Sequence, residues 1–553
     1  MRDPFLVAAV LMAAALRLYG IDHDLPFVYN PDEANIMARA LSVAQGLDPG
    51  YYLYPSFFFY FLFVVMGGLY VVGWIHGGYE NVAEFQARFF EDPTAFYVAG
   101  RLVGVAAALA TIVVTYRLVD EHFGRTPARG ASFFIAVAYF HVRDSHYLKH
   151  DVPSGLLLIV ALWAIDRALS SKSLGAYLAA GVALGVAFAT HYYMIFLAPT
   201  FVVCHGVHRR RERFGHVVAA GAVSAATFFV LSPYVLLNFS TALEHMGANR
   251  QVVVDRSLDR GLALFPSLGR YLEFLATQGL GFLLLGLVVA GFVLMARKDR
   301  RALALWGTFP LLFFAFITYT FFAGRYLNPI LPCLAAAAGL SVGAVENRFG
   351  KAAAIAVVAV ACLQPLYWSI QVDRLFAKDD TRTLAREWFV EHVASGEAVA
   401  IQSYSVPLPQ SAESFRDSLR ANDALGELER RGKYASLLDV AESEPTSYRL
   451  VFLGNGDELN RIYVGYDELA NGLGPLTAQG VGALVLRRPP IPPPPAVSAL
   501  FERAAREGTW LTSITPFSSD GNTTPYLDNE DWAPSSSLSH KGPLIEVWSL
   551  DTR

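Results

Sequence analysis

The chain has 553 residues and a formal net charge of −4, with 54% of its residues hydrophobic and 17% charged. Mean hydropathy is +0.37 and the pI is about 6.4. An apolar excess with few charges excludes a disordered chain and argues against an ordinary cytosolic enzyme, and the mild acidity gives no footing for a nucleic-acid partner.

The first apolar run, Phe5–Tyr19, reads as a retained signal anchor rather than a cleaved signal peptide, because many apolar runs follow it. A polar loop comes next, with Asp22, Asp24, Asp32 and Glu33. Asn30-Pro31 signals a turn, and Asp32-Glu33 opens a short amphipathic helix through about Val43. Carboxylates there also suit the helix dipole, which by itself is a purely structural use for them. Residues 52–76 are apolar and long enough to span a bilayer. A crossing at that point would turn every later basic loop outward. We therefore expect this aromatic-rich segment to lie in the interface or to be re-entrant.

Further spans are expected at 97–117, 130–142, 152–167, 175–190, 193–207, 216–236, 276–296, 302–322, 326–345 and 352–371. With 4–20 they make about eleven. Basic residues concentrate in alternate loops: Arg117, Arg125 and Arg129; Arg167 and Lys172; Arg209–Arg213; Arg297–Arg301; Arg348 and Lys351. The positive-inside rule makes those loops and the N-terminus cytoplasmic. Cys204, Cys333 and Cys362 all lie in apolar stretches, which supports neither a disulfide framework nor a thiolate zinc site. After residue 372 no apolar run approaches a span, and the composition turns polar, with a proline-rich "RRPPIPPPPAV". The expected division is a membrane domain, 1–372, and a soluble extracytoplasmic domain, 373–553.

Under this topology the acidic loops share the outer face. "HVRDSHYLKHDVPSG" adds His146, Lys149, His150 and Asp151. Asp151 could simply cap the span that follows, with Pro153 in its first turn. Arg17, Arg101, His191, Tyr192, Arg270, Arg325 and Tyr326 fall on the same side. A single arginine near an interface usually snorkels. Carboxylates gathered with cations at one membrane face suit a base acting on an acceptor while the cations hold a lipid phosphate.

Four stretches, in order, resemble the polyprenyl-phosphate-sugar-dependent glycosyltransferases of the membrane-embedded C-type fold, which include protein O-mannosyltransferases and the lipid A aminoarabinose transferase. They are "LRLYG…NPDEANIMARAL", "DSHYLKHDVPSGLLL", "GVALGVAFATHYYMIFLAP" and "GRYLNPILPCLA". The resemblance implies a mainly α polytopic fold carrying a C-terminal α/β domain. It implies a sugar donor on a polyprenyl monophosphate, and a hydroxyl acceptor on a lipid, glycan or protein. Asp32 matches the family's catalytic base, Glu33 its companion acid and Asp151 its second loop acid. His191 stands where many relatives have lysine near the lipid phosphate, and neutral imidazole is a weaker anion ligand. Arg17, Arg101, His146, Lys149, Tyr192, Arg270, Arg325 and Tyr326 complete the candidate substrate-binding set. A monophosphate leaving group surrounded by cations requires no metal, although a divalent ion on Asp32, Glu33 or His146 stays open. The rival readings are a transporter or flippase with an outer sensor domain, and a phospho-group transferase acting on lipid head groups.

Overall fold

A computed structural model describes residues 3–171, 173–208, 213–250, 267–430, 432–488, 495–518 and 537–550. Of the basic loops, Lys172 and Arg209–Arg211 fall outside the described residues. The chain divides into two compact units. One comprises Met1–Ile21, Pro31–Leu69 and Tyr97–Asp373; the other comprises Asp22–Asn30, Tyr70–Phe96 and Arg374–Arg553.

The first unit is helical. Helix α1 (Pro4–Leu18) starts where Asp3 accepts a 2.9 Å hydrogen bond from the Phe5 amide, with proline at the first helical position. Helix α2 (Pro31–Ser42) has Asp32 and Glu33 in its first turn and buries Glu33, Ile36, Met37 and Ala40, a single helical stripe. Then come α3 (Phe57–Ile75), α4 (Val82–Glu91), α5 (Thr94–Phe123), α6 (Arg125–Val137), α7 (Tyr139–Ser145), α8 (Asp151–Ser171), α9 (Leu174–Thr190), α10 (Leu197–Val207) and α11 (Phe214–Leu231). Helix α4 belongs to the second unit, and that unit also takes the last turns of α3 and the first residues of α5. Among the described residues, 6 helices are long and apolar enough to cross a membrane, or 7 if one bent pair counts as a span, and α3 is one of them.

Several expected spans are interrupted. The stretch 130–142 breaks at Ala138, whose ψ of 115° is extended. The carbonyls left over at the end of α6 find partners elsewhere: the Arg17 guanidinium donates to Ala136 at 2.9 Å and to Ile135 at 3.1 Å, and the Ser369 hydroxyl donates to Val137 at 3.0 Å. The stretch 276–296 is bent: Leu268–Gly279 meets Phe282–Lys298 at 118°. Gly281 makes that corner at φ +87°, which a side chain rarely adopts. The stretch 326–345 begins as a 3₁₀ turn, Gly324–Leu327, and becomes helical only at Leu331. Pro329 has no N–H to donate, so no helical hydrogen bond can start from its nitrogen.

Small residues let the helices approach. On α9, a Cβ at Gly181 would lie 2.4 Å from the Ala220 carbonyl oxygen of α11, and one at Gly185 would lie 2.6 Å from that of Ser224. Close backbone contact of this kind gives dispersion energy where lipid supplies no hydrophobic drive.

The second unit holds a six-stranded sheet in the order β3-β2-β1-β4-β6-β5. Its strands are β1 (Ala398–Gln402), β2 (Arg449–Leu453), β3 (Tyr463–Val464), β4 (Ala483–Arg488), β5 (Thr509–Ile514) and β6 (Leu544–Ser549). The first four pair in parallel, whereas β6 runs antiparallel to both β4 and β5. Alternation sends Ala398, Ala400 and Leu484 into one core, and Val399, Ile401 and Val485 into the other. Both faces are thus covered by apolar side chains.

Candidate active site

Helix α2 and the α7–α8 loop supply most of the polar groups. Glu33 and Asp32 are neighbours with different surroundings. The Glu33 carboxylate is buried and takes both forks of Arg101, with Nε to Oε1 and Nη2 to Oε2 each 2.9 Å. It also accepts the Leu148 amide at 2.7 Å. Arg101 further donates to the Ile21 carbonyl at 2.8 Å. This bidentate pair therefore ties α2, α5 and the α7–α8 loop together. Asp32 keeps 35% of its side chain exposed and lies 3.0 Å from Lys149 Nζ. Burial pushes its carboxyl up, but Lys149, Arg325 and His150 outweigh that and hold it well below the usual carboxylate range. It is an accessible carboxylate that stays ionised.

Arg325 is poised on the 3₁₀ turn after Ala323, within the fields of Asp32 and Asp151. That turn is anchored from beneath. Asn328 Nδ2 donates to Asp144 at 2.6 Å and to the Arg325 carbonyl at 2.9 Å, and Arg143 Nε meets the other Asp144 oxygen at 2.8 Å. Asp151 is buried at the start of α8. A Cβ at Gly155, four residues on, would stand 3.1 Å from the Asn328 carbonyl oxygen. Glycine at 155 thus lets α8 approach the turn that carries Arg325.

Beside these charges sits an aromatic-imidazole cluster. Tyr54 lies 4.3 Å from the His150 ring and 5.3 Å from that of His191, and the two imidazoles are 4.7 Å apart. Burial lowers the His150 pKa to about 3 and drives that of His191 well below its usual value, so both are neutral near pH 7. Tyr54, His191, Tyr192 and Tyr326 also border an apolar cavity of about 910 Å³ whose further walls include Phe188 and Phe313.

Other candidates have different placements. Arg17 is buried as the α6 cap and also meets His141 Nδ1 at 2.8 Å. Both His146 nitrogens face carbonyls, of Val142 at 2.9 Å and Tyr19 at 3.0 Å, and burial lowers its pKa to about 4. Both residues are therefore tied to neighbouring backbone carbonyls. Arg270 is exposed and lies over the Phe322 ring at 4.8 Å. Arg101 holds Glu33 in the pair described above. Tyr192 donates to the Tyr52 carbonyl at 3.1 Å. Sequence reasoning missed Tyr54 and Asn328. Each flanks a proline, Pro55 or Pro329, at the mouth of a helix, which was the available signal.

Among the described residues, no three His, Cys, Asp or Glu side chains are grouped to hold a metal ion. Asp32 faces a lysine, and both Glu33 oxygens are used by Arg101, so these side chains as arranged do not make a cation cage.

The dolichyl-phosphate-mannose-protein mannosyltransferase family model matches residues 91–236. No curated protein matches the sequence. In fold the chain is similar to ArnT from Cupriavidus metallidurans. The form bound to undecaprenyl phosphate aligns at TM-score 0.51 with 15% identity, covering 99% of this chain and 97% of the other. The apo form aligns at 0.50, with the same identity and coverage. The oligosaccharyltransferase AglB from Archaeoglobus fulgidus aligns at 0.48 with 14% identity, covering 87% of this chain and 69% of the other. The mannosyltransferase family model thus covers part of the chain, and along nearly its whole length the chain has the fold of the ArnT structures.

Proposed function

We propose that the protein moves a sugar from a polyprenyl monophosphate to a hydroxyl of a lipid, glycan or protein, with Asp32 as general base. The observation that carries this reading is a reachable, ionised carboxylate between Lys149 and Arg325, next to an apolar cavity. The cavity suits a prenyl chain, and the relative bound to undecaprenyl phosphate supports such an occupant. The lipid phosphate would lie against Arg325 and Lys149, with neutral His191 donating at most one hydrogen bond. The acceptor oxygen forms a bond to the anomeric carbon, whose bond to the phosphate oxygen breaks from the opposite side. The acceptor proton passes to Asp32 and the polyprenyl phosphate departs, so the configuration inverts.

In the free protein Asp32 is paired with Lys149 and lies in the field of Arg325. A phosphate competing for them raises the basicity of Asp32 once the donor is seated, which suits a base that is otherwise too weak. Glu33 and Asp151 would shape the site, and no metal is needed for these steps. We further infer about eleven crossings, a cytoplasmic N-terminus, the catalytic loops on the extracytoplasmic side of the plasma membrane, and a periplasmic domain over 373–553.

The test is transfer of radiolabelled sugar from a polyprenyl phosphate by purified protein. Asp32→Asn should cut turnover by about 10²–10⁴-fold while polyprenyl-phosphate binding survives. Near-normal transfer by folded Asp32→Asn protein overturns the assignment of the base.

A further inference from the structure

Loops at the carboxyl ends of β1 and β2 enclose a second cavity of about 630 Å³, within the second unit. Strands β2 and β3 lie on one side of β1 and β4 lies on the other, so the parallel part of the sheet changes direction at β1. Open α/β sheets bind ligands outside the carboxyl ends of their strands, and this cavity lies there, on the β2 side of β1. Gln402, the last residue of β1, spans this point: its side chain accepts the Arg487 amide of β4 at 2.7 Å and donates to Tyr466 at 3.2 Å.

The lining has a consistent chemistry. Phe27, Tyr404, Phe452 and Tyr463 supply aromatic surface. Tyr404 sits at φ +61°, a left-handed backbone costly for a side chain of this size, and the residue stays 62% exposed. The side chains of Asn455 and Asp457, across the cavity mouth, are exposed and have no hydrogen-bond partner among the described residues. The other charges here are already paired. Glu458 is held by Tyr463 and, at 3.2 Å, by Arg461, whose guanidinium lies 4.6 Å from the centre of the Phe452 ring. Arg461 is thus occupied, which disfavours an anionic ligand. Aromatic faces beside an amide and a carboxylate match a neutral sugar ring, which offers apolar C–H on one face and adjacent hydroxyls along its edge.

We propose that the second unit carries a saccharide-binding site at this cavity, taking a neutral glycan, separate from the transfer step assigned to Asp32. The full-length protein in detergent should bind at least one of a panel of neutral trisaccharides (maltotriose, cellotriose, mannotriose) by calorimetry and saturation-transfer NMR. Tyr404→Gly removes the ring and relieves the backbone, and should weaken that binding by about tenfold or more. Asp457→Ala, at an exposed position, should weaken it in the same direction with the fold untouched. Asp32→Asn should leave it unchanged even if transfer is lost, which separates this site from the active site. Three results overturn the proposal: no binding up to about 10 mM, binding that survives both cavity variants, or binding lost with Asp32→Asn alone.

Discussion

Two adjacent carboxylates on the first turn of α2 illustrate how one peptide unit divides structural and chemical work. Glu33 is fully buried against Arg101, whereas Asp32 is one-third exposed beside Lys149. Removing one partner of a buried, hydrogen-bonded ion pair leaves the other charge unpaired, at a typical cost of about 3–5 kcal/mol. Glu33→Gln should therefore lower the melting temperature in detergent sharply, and Asp32→Asn, at a side chain that keeps a third of its surface in solvent beside the buried Lys149, should lower it less. Equal melting temperatures for the two variants would contradict the division. The sequence showed both carboxylates and the Lys149–Asp151 motif, because each is a local pattern. It did not show which carboxylate takes the arginine. That depends on a contact between residues 33 and 101, and likewise the support for Arg325 depends on Asn328 reaching Asp144. Tyr54 was missed for the same reason, since its partners His150 and His191 are remote in sequence.

At the scale of elements, hydropathy located apolar segments well but could not see their interruptions. The amphipathic helix expected from Asp32 to about Val43 is present as Pro31–Ser42, because a charged first turn and a single apolar stripe are local properties. The break at Ala138 depends instead on a distant guanidinium, since Arg17 accommodates carbonyls that a continuous helix would have used itself. Packing is similarly non-local. Gly181 reads as a helix-weakening residue in sequence, yet the backbone of α11 occupies the space a side chain would need. Gly181→Val should cost about 1–3 kcal/mol through overpacking, measured as a loss of thermal stability. The same change at Gly175, where an added Cβ would meet nothing within 4 Å, should cost far less. Similar losses at both positions would mean that contact with α11 does not set the cost, since helix propensity by itself favours valine over glycine.

For the whole molecule, the open question is which side of the bilayer each loop faces, and charge is the only sequence signal that addresses it. Helix α3 is the critical element, because its 19 residues are long and apolar enough to cross. If it crosses, the later basic loops change sides. If it lies in the interface, they remain cytoplasmic, as the positive-inside rule requires. Single cysteines can decide this in a background with Cys204, Cys333 and Cys362 replaced; all three are buried, so conservative replacement by alanine or serine is the first choice. Asp22, Lys298 and Ser443 are all exposed, so each is reachable by reagent on its own side. In intact cells an impermeant maleimide should label Asp22→Cys and Ser443→Cys but spare Lys298→Cys until the membrane is permeabilised. Labelling of Asp22→Cys and Lys298→Cys together, with Ser443→Cys protected or not, would require α3 to cross or another helix to be miscounted. It would also put the Asp32 loop on the opposite side from the loop that carries Lys149, against the 3.0 Å contact between the two side chains.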